Sequence, residues 1–403
     1  MKKKSLSVLL SLCLSLVFLF ALAVPAFAAE GFAGGKGTAG NPWHIRTISQ
    51  LQEVKNHLDG HFVLDKDLDL SSVRNWAPIG SYENEFTGTF DGNDHQITNL
   101  TIKAPQLLGG GLFGFIADGS VTNLRLKNIS VSGVMFAGGL AGMAEDSTVE
   151  NIRLTGNNTL SGIMYVGGVL GAAENMTVKN VSAKAKLKLY GVAVISQAAG
   201  VVCGGAEGAD FVNCKATGGS IRFYGDELTQ SSGAVGGLAG CATDGKVVRN
   251  CSASNIKIAV SQCSMVGGLL GHSGSTAGTT DKSKRTKISG CTVKNVTIKA
   301  DDDSDRIGML LGSGYYRPFF NSEISEPTAY YVTNCTVSGE IEVTPAKVSG
   351  LYADRDPLIG AVAGFAGRNS AVASTNANVT LNGDRLSTQI GGTLSTTPMD
   401  QLW

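Results

Sequence analysis

Three aspartates at alternate positions are the residues whose types and spacing most directly suggest chemistry. Asp65, Asp67 and Asp69 stand in the segment FVLDKDLDLSS. If this segment forms one β-strand, alternate side chains project from the same face, and the three carboxylates form a row. Such a row could bind Ca²⁺ and support a polysaccharide lyase. The alternative is a solvated outer face with leucines directed inward, which we favour because no basic residue beside the row is an obvious proton abstractor.

Other polar clusters give weaker indications of chemistry. The acidic run at 301–305 (DDDSD) lacks the glycine and the terminal glutamate of an EF-hand loop, which favours a solvated turn over a metal site. His95 follows an Asp-Gly turn and is predicted to bond to nearby backbone rather than to act as a base. The sequence therefore predicts no catalytic residue and no cofactor.

An aromatic excursion, GYYRPFFNSEISEPTAYY, is the strongest candidate for a binding loop. It places Tyr315, Tyr316, Arg317, Phe319 and Phe320 together in a chain that is only 7% aromatic. Tyr and Arg commonly anchor contacts with proteins or sugars. The alternative is that these side chains pack on the flank of the fold or cover its C-terminal end.

The cysteines point to packing rather than to catalysis. Of eight in the chain, Cys13 lies in the N-terminal apolar run, and seven remain. Four share one register after a corner residue, namely Cys214, Cys251, Cys291 and Cys335. Because aliphatic residues occupy that register in earlier repeats, we interpret the four as buried thiols that act as small hydrophobes. Disulfides between neighbours in the column are the alternative.

A glycine-rich apolar hexad recurs eight times and must form part of the element that positions these side chains. Its copies are GGGLFG (109–114), AGGLAG (137–142), VGGVLG (166–171), AAGVVC (198–203), VGGLAG (235–240), VGGLLG (266–271), IGMLLG (307–312) and IGAVAG (359–364). The glycines before the apolar pair are taken as one column: Gly111, Gly139, Gly168, Gly200, Gly237, Gly268, Gly308 and Gly360. We expect glycine here to permit a tight bend or a close approach between walls.

Runs that alternate with period two follow each hexad and predict strands. Examples are SVTNLRLKNISVSG (120–133) and KISGCTVKNVTIKA (287–300). An asparagine column shares one register, with Gly290 as the exception: Asn123, Asn151, Asn180, Asn213, Asn250 and Asn334. Stacked amides can bond along an axis, and Asn tolerates a left-handed corner. The pattern predicts an all-β parallel β-helix and disfavours a small-xxx-small helix contact, because no long apolar helix surrounds the hexads.

The N-terminus has a different character. Three lysines, an apolar run and Ala26-Phe27-Ala28 predict a signal peptide cut before Ala29. Thr47 with Gln50 predicts a capping box for a short helix that covers the end of the solenoid. The predicted organisation is a signal peptide (1–28), a lead-in with capping helix (29–60), the β-helix (61–393) with insertions near 273–287 and 313–330, and a tail (394–403).

Charge and hydropathy exclude some partners. The whole chain has 33 basic and 33 acidic residues, and cleavage of the signal peptide leaves a small negative balance. This balance gives no indication of nucleic acid or anionic lipid as a partner. No later segment has the 18 or more apolar residues that a spanning helix needs, so we expect a secreted or extracellular chain without a membrane span.

Several longer segments resemble bacterial secreted and surface proteins that carry GLUG-motif repeats. The likeness lies in GKGTAGNPWHIRTISQLQEV (36–54), FVLDKDLDLSSVRNWAPIG (62–80), FTGTFDGNDHQITNLTI (86–102) and the hexads. The resemblance implies a right-handed β-helix in an extracellular protein, often linked to adhesion, and brings no shared catalytic residues. Some proteins with these repeats are zinc peptidases, but this sequence contains no H-E-x-x-H. It also ends without a cell-wall sorting signal.

Two functional hypotheses follow from these patterns. The first is a non-catalytic adhesion or interaction scaffold that presents loops to an extracellular glycan, matrix or envelope protein. The alternative is a Ca²⁺-dependent polysaccharide lyase or a glycoside hydrolase that uses the Asp65, Asp67 and Asp69 row. Catalysis would require a neighbouring group with a shifted pKa.

Overall fold

The backbone winds into stacked coils of parallel strands. The computed structural model describes residues 31–104, 107–190, 197–225, 233–274, 285–313, 330–345, 357–366 and 370–393. Within these ranges each strand pairs in parallel with a strand of the next coil, apart from one antiparallel pair, Asn376–Leu381 with Asp384–Arg385. The predicted parallel β-helix is confirmed. The predicted signal peptide and C-terminal tail lie outside the described residues.

Two sheets form the walls of the solenoid. In the described residues the smaller sheet, called the hexad wall, consists of nine strands: Phe113–Ala117, Ala141–Glu145, Leu170–Glu174, Cys203–Glu207, Ala239–Thr243, Leu270–Gly274, Leu311–Ser313, Ala363–Ala366 and Ile390–Thr393. The first eight overlap the end of a hexad.

The larger sheet wraps the remaining sides in 29 strands of the described chain. They are Trp43–Ile45, His61–Leu64, Leu68–Asp69, Thr89–Asp91, Gln96–Thr98, Thr101–Lys103, Gly109–Gly110, Ser120–Lys127, Ser130–Ala137, Thr148–Thr155, Thr159–Gly167, Thr177–Lys179, Ser182–Tyr190, Gln197–Gly200, Asp210–Val212, Lys215–Tyr224, Gly233–Gly236, Val247–Arg249, Ser252–Ser261, Met265–Gly267, Thr286–Ser289, Thr292–Asp301, Arg306–Gly308, Tyr330–Thr333, Thr336–Thr344, Leu358–Gly360, Ala371–Ala373, Asn376–Leu381 and Asp384–Arg385.

Alternation along each strand fills one continuous interior. In Ser182–Tyr190, for example, alanines and leucines are buried while the intervening lysines are exposed. One hydrophobic cluster extends from Ile45 near the start of the described chain to Val379 near its end. The coils therefore share one core, as expected when no single turn can bury its apolar face alone.

The hexad is the sharp corner that leads into the hexad wall. At its first glycine position, represented by Gly267, an added Cβ would overlap the carbonyl oxygen of Leu270 in the same hexad. At its last position, represented by Gly171, an added Cβ would lie 2.9 Å from the backbone nitrogen of Ala137 on the opposite wall. Neither glycine has a positive φ. Glycine is therefore required here for close approach and not for a left-handed conformation.

The single glycine column expected from the sequence is wrong and separates into two columns. In the parallel register, Gly200, Gly308 and Gly360 align with Gly236 and Gly267. The sequence pattern suggests instead that they align with Gly237 and Gly268, one position later. The second position accepts a side chain because it faces the interior, where Val201, Met309 and Ala361 are buried. Of these two neighbouring positions, only the first is glycine in every hexad of the described chain.

Asparagine side chains bond along the solenoid axis at one corner. The backbone there is left-handed, with φ from +53° to +59° for Asn123, Asn151, Asn180, Asn213, Asn250 and Asn334, and +61° for Gly290. Asn151, Asn180, Asn213 and Asn250 each donate from the amide nitrogen to the amide oxygen of the preceding coil, over 2.9 Å from Asn151 to Asn123 and 3.4 Å from Asn250 to Asn213. Asp91 accepts from Asn123 and begins the ladder. The ladder fixes the register of successive coils.

A short helix and an aromatic cluster close the N-terminal end. The α-helix Ile48–Glu53 has the predicted capping box between Thr47 and Gln50 and continues into the 3₁₀ helix Val54–Asn56. A second 3₁₀ turn is Leu70–Ser72. Leu51 is fully buried against the first coil. The strand Trp43–Ile45 pairs with His61–Leu64, so the parallel sheet begins inside the predicted lead-in.

No helix in the described parts of the chain combines the length and apolar character that a bilayer crossing needs.

Candidate functional site

The three aspartates of the predicted carboxylate row do not share one strand. Asp65 and Asp67 lie in the turn between His61–Leu64 and Leu68–Asp69, and only Asp69 belongs to a strand. The expectation of one alternating strand was wrong because this first coil bends after Leu64 to begin a new wall. The three carboxylates consequently have three separate sets of partners.

Asp65 is held by two basic side chains from the lead-in. Its carboxylate oxygens lie 3.0 Å from His44 Nδ1, and Arg46 Nε donates to Oδ2 over 2.8 Å. Burial alone would raise the pKa of Asp65, but the hydrogen bonds from His44 and Arg46 outweigh burial and lower it. A carboxylate tied in this way is a weak base and serves to anchor the capping segment.

Asp67 and Asp69 bond to the next coil. The backbone nitrogen of Gln96 donates to Asp67 over 2.9 Å, and His95 Nδ1 lies 3.1 Å from the same oxygen. Asn99 donates to Asp69 over 2.8 Å and accepts in turn from Asn128, so Asp69 begins a second amide ladder. These hydrogen bonds lower the pKa of both carboxyls. His95 thus bonds to a side chain of the previous coil as well as to local backbone.

The described residues contain no group of three or more His, Cys, Asp or Glu side chains placed to hold a metal ion. The separate hydrogen-bond partners of the three aspartates favour the structural interpretation of the row over the calcium site.

The lowered pKa values predict a pH dependence of stability. A carboxyl whose folded pKa lies below its unfolded value stabilises the fold above the unfolded pKa, about 3.9 for Asp, and loses this contribution as the pH falls through the folded pKa. We therefore expect Asp67→Asn to flatten the fall in the free energy of unfolding below about pH 4. Urea titrations at several pH values measure this slope. The exposed Asp59→Asn variant is the control, and equal slopes for both variants would contradict the assignment.

The acidic run at 301–305 is more buried than the solvated turn that the sequence suggested. Asp303 and Ser304 are almost fully buried, and Asp301 accepts from the backbone nitrogen of Gln262 over 2.9 Å and from Ser304 Oγ over 2.8 Å. Burial raises the pKa of Asp301. The turn was mispredicted because the Asp301 carboxylate caps the backbone of the preceding coil at Gln262, while Asp302 faces water as expected.

The four cysteines of the column lie in the interior as free thiols. Each donates to the backbone carbonyl two residues earlier, as Cys251 does to Arg249 over 3.3 Å and Cys291 does to Ser289 over 3.4 Å. The hydrogen bond with Cys251, together with burial, raises the pKa of Cys291 to about 12. Cys214 and Cys335 lie at the two ends of the column. A protonated and buried thiol is a poor nucleophile.

This burial predicts low thiol reactivity. In the native state a disulfide-exchange reagent should leave the column thiols unmodified, whereas in guanidinium chloride all cysteines of the mature chain should react. The measurement is the absorbance of released thiol with and without denaturant. Complete reaction of the column thiols in the native protein, as fast as that of an accessible thiol, would contradict their burial.

The predicted binding residues Tyr315, Tyr316, Arg317, Phe319 and Phe320 lie outside the described residues. So do residues 275–284, the central part of the insertion predicted near 273–287.

An apolar cleft near the N-terminal end is the surface that sequence reasoning missed. It measures about 630 Å³ and is lined by Asn75, Trp76, Ala77, Pro78, Gly80, Ser81, Tyr82, Glu83, Ala104, Leu107, Leu108, Gly109 and Phe115. Three large apolar side chains are exposed at it: Tyr82 (64%), Leu107 (39%) and Leu108 (43%). The available signal was the segment NWAPIGSYENE, which concentrates Trp, Pro and Tyr in a loop.

The floor of the cleft is fixed by hydrogen bonds to the next coil. Trp76 is buried, and its Nε1 donates to the carbonyl of Leu112 over 3.0 Å. The backbone nitrogen of Phe86 donates to Phe115 over 3.0 Å, so the segment between Trp76 and Phe86 covers the first edge of the hexad wall. Tyr82 packs edge-on against Phe115 with ring centres 5.6 Å apart. The exposed groups therefore stand on a rigid support.

Comparison with known proteins agrees with the repeat. A family model described as the GLUG motif matches residues 231–259. Residues 231–259 therefore carry a GLUG motif. Residues 231–259 contain the hexad VGGLAG and the strand that follows the asparagine corner, so the GLUG motif spans the bend described above.

A second family model and two relatives also match parts of the chain. A model described as the M26 IgA1-specific metallo-endopeptidase N-terminal region matches residues 44–156. A protein of Evansella cellulosilytica, provisionally named a Gly-rich membrane protein, is 38% identical over 109 residues. Halomucin of Haloquadratum walsbyi is 35% identical over 107 residues. The alignments with these two proteins each cover 25% of this chain. They cover 12% of the Evansella protein and 1% of halomucin.

Among solved structures, a Bacteroides ovatus protein provisionally described as an immunoglobulin A1 protease is similar at 19% sequence identity. The superposition covers 87% of this chain and 86% of that one, with a TM-score of 0.45.

Proposed function

We propose that this chain is a non-catalytic interaction scaffold that works outside the cell and binds an extracellular glycan, matrix protein or envelope protein. The observation that carries the proposal is the apolar cleft, where Tyr82, Leu107 and Leu108 stand exposed above a fixed floor. Exposed apolar side chains that cluster at one concave surface are typical of a binding site.

The rigidity of the support favours binding. The segment that carries Tyr82 is held by backbone hydrogen bonds to the hexad wall, and Trp76 fastens it from inside. A surface that is already ordered loses little conformational entropy when a partner binds. An aromatic series continues from Tyr82 through Phe115 and Phe136 to Tyr165 across successive coils. A long partner could therefore follow the stacking direction of the solenoid.

Location outside the cell is supported by the predicted signal peptide and by the relatives. The GLUG motif, a protein named for a membrane location and halomucin fit a secreted or surface protein. The M26 match is to a model described as the N-terminal region of a metallo-endopeptidase. We infer that such a region can carry binding surfaces.

The proposed absence of catalysis is supported by the hydrogen bonding and protonation of the aspartates and cysteines. Asp65, Asp67 and Asp69 are hydrogen-bonded carboxylates with lowered pKa values, which makes them poor proton acceptors. The column thiols are buried and protonated. The lyase or hydrolase alternative is favoured by no specific observation.

Binding to an array of glycans and envelope proteins tests the proposal. The mature chain should give positive wells, and Tyr82→Ala/Leu108→Ala should lose those that depend on the cleft. A Lys55→Ala/Lys66→Ala variant is the control, since it truncates two exposed side chains that do not line the cleft. A Tyr315/Tyr316/Phe319/Phe320→Ala variant tests the aromatic excursion. An array without any positive well would contradict the proposed function, as would release of product from a bound well.

A further inference from the structure

One wall of the solenoid concentrates positive charge although the chain as a whole is balanced. The strand Ser182–Tyr190 buries its alanines and leucines and exposes Lys184, Lys186, Lys188 and Tyr190. Alternate residues of a strand project from the same face about 6.8 Å apart, so these four side chains form one outward row.

The next two coils extend this row sideways. In the parallel register Lys188 lies beside Arg222, and Tyr190 lies beside Tyr224. Lys186 is followed by Ser220 and then by Lys257 of the strand Ser252–Ser261. Neighbouring strands are about 4.8 Å apart. We call this surface the lysine–tyrosine wall: Lys184, Lys186, Lys188, Tyr190, Arg222, Tyr224 and Lys257.

The cations of the lysine–tyrosine wall are exposed to solvent. The three strands that form it contain no Asp or Glu. Within the described part of the chain, no carboxylate lies within ion-pair distance of its four lysines or of Arg222. The acidic side chains are gathered elsewhere, as in the register column Glu145, Glu174 and Glu207 on the hexad wall. The neutral total therefore conceals a strong segregation of charge.

Two exposed tyrosines complete the wall. The rings of Tyr190 and Tyr224 stack with centres 5.9 Å apart and planes 18° apart, and 53% and 45% of the two residues remain accessible. Exposed aromatic rings present an apolar face with a polar hydroxyl at its edge, which is the arrangement that contacts the C–H face of a sugar. The residues between the cations are small and hydroxylated, such as Ser220, Ser254 and Ser261.

We propose that the lysine–tyrosine wall binds an acidic polysaccharide. Carboxylate or sulfate groups along such a polymer would pair with the cation rows, while sugar rings pack on the tyrosine pair and hydroxyls bond to the serines. The proposal rests on the proposed function in one respect, namely that the chain meets its partners outside the cell. It differs in naming a second surface and the chemistry of its ligand.

The shape of the wall favours this ligand over other polyanions. The cations spread over a flat sheet and do not enclose a groove that would follow a duplex backbone. An anionic membrane would be met by bulky apolar side chains projecting beyond the cations, whereas the spaces between these cations carry serine and threonine. Charge complementarity, flatness and the ring pair together fit an extended acidic sugar chain.

Binding of defined polymers to the intact mature chain tests the inference. The probes are polygalacturonate for carboxylates and dextran sulfate for sulfates, with neutral dextran as the uncharged control. Lys184→Gln/Lys186→Gln/Lys188→Gln should weaken binding of at least one acidic probe by about tenfold or more. Tyr190→Ala/Tyr224→Ala should weaken it by about fivefold. Raising ionic strength from 0.1 to 1 M, which shortens the screening length from about 10 to about 3 Å, should abolish binding.

A matched charge control separates the wall from general attraction. Lys55→Gln/Lys66→Gln/Lys103→Gln removes three exposed lysines from the N-terminal end and should bind as the wild type does. Equal losses in both triple variants, tighter binding to duplex DNA or anionic vesicles than to either acidic polysaccharide, or no binding to either probe would overturn the inference. These outcomes leave the cleft and its array wells unaffected, so they do not decide the proposed function.

Discussion

Replacement of Gly267 by alanine is expected to destabilise the protein by more than about 3 kcal/mol. The added Cβ would overlap the carbonyl oxygen of Leu270 and lie 2.5 Å from its carbonyl carbon. Both atoms belong to the backbone of the bend, and the nitrogen of Gly312 in the next coil lies 3.0 Å away. Relief therefore requires movement of two coils at once. Urea unfolding followed by circular dichroism measures the change.

The control for this substitution lies in the lead-in. Gly40 has no heavy atom within 4 Å of its added Cβ and no positive φ, so Gly40→Ala should change the free energy of unfolding by less than about 0.5 kcal/mol. If Gly267→Ala were as mild as Gly40→Ala, the close approach at the hexad corner would be disproved.

Replacement of Asn180 by alanine is expected to lower the free energy of unfolding by about 2–3 kcal/mol. Its φ of +55° costs a residue with Cβ about 1–2 kcal/mol unless its side chain bonds locally, as that of Asn does. Asn180 also donates to Asn151 over 3.1 Å and accepts from Asn213 over 3.1 Å, and both bonds would be lost.

Asn180→Gly separates the two contributions. Glycine adopts the left-handed corner without strain, and Gly290 occupies this position naturally at φ +61°. We therefore expect the glycine variant to lose only the ladder bonds, about 1 kcal/mol. The difference between the two variants in urea midpoint measures the backbone contribution. A glycine variant less stable than the alanine variant would contradict a left-handed corner at Asn180.

The fold was predictable because its local signals agree with one another. Alternation after each hexad places Val and Ile inside, and the asparagines recur where the backbone is left-handed. The register of the hexad glycines was harder to predict, because a sequence such as IGMLLG does not show which of the two glycine positions its first glycine occupies. Pairing of Gly308 with Gly267 settles it through backbone contacts that the sequence does not display.

The surfaces were harder to predict for a physical reason. Asp65 and Asp67 alternate as on a strand, but both lie in the turn between His61–Leu64 and Leu68–Asp69, where His44 of the lead-in bonds to Asp65. The cleft at Tyr82 brings together residues that are about 25 positions apart, and only coil stacking makes them neighbours. The lysine–tyrosine wall is visible as KAKLKLY in one strand, but its continuation to Arg222 and Tyr224 depends on register.

The central claim is that this solenoid binds an extracellular polymer and leaves it intact. The most direct measurement is incubation of the mature chain with polygalacturonate, with and without millimolar Ca²⁺, followed by size-exclusion chromatography with light scattering. We predict that the polymer elutes with the protein at low salt and, once released at high salt, keeps its original length distribution. Shortened polymer in either condition would contradict the account. Elution of both polygalacturonate and, in a parallel run, dextran sulfate free of the protein at low salt would contradict the binding of an acidic polymer.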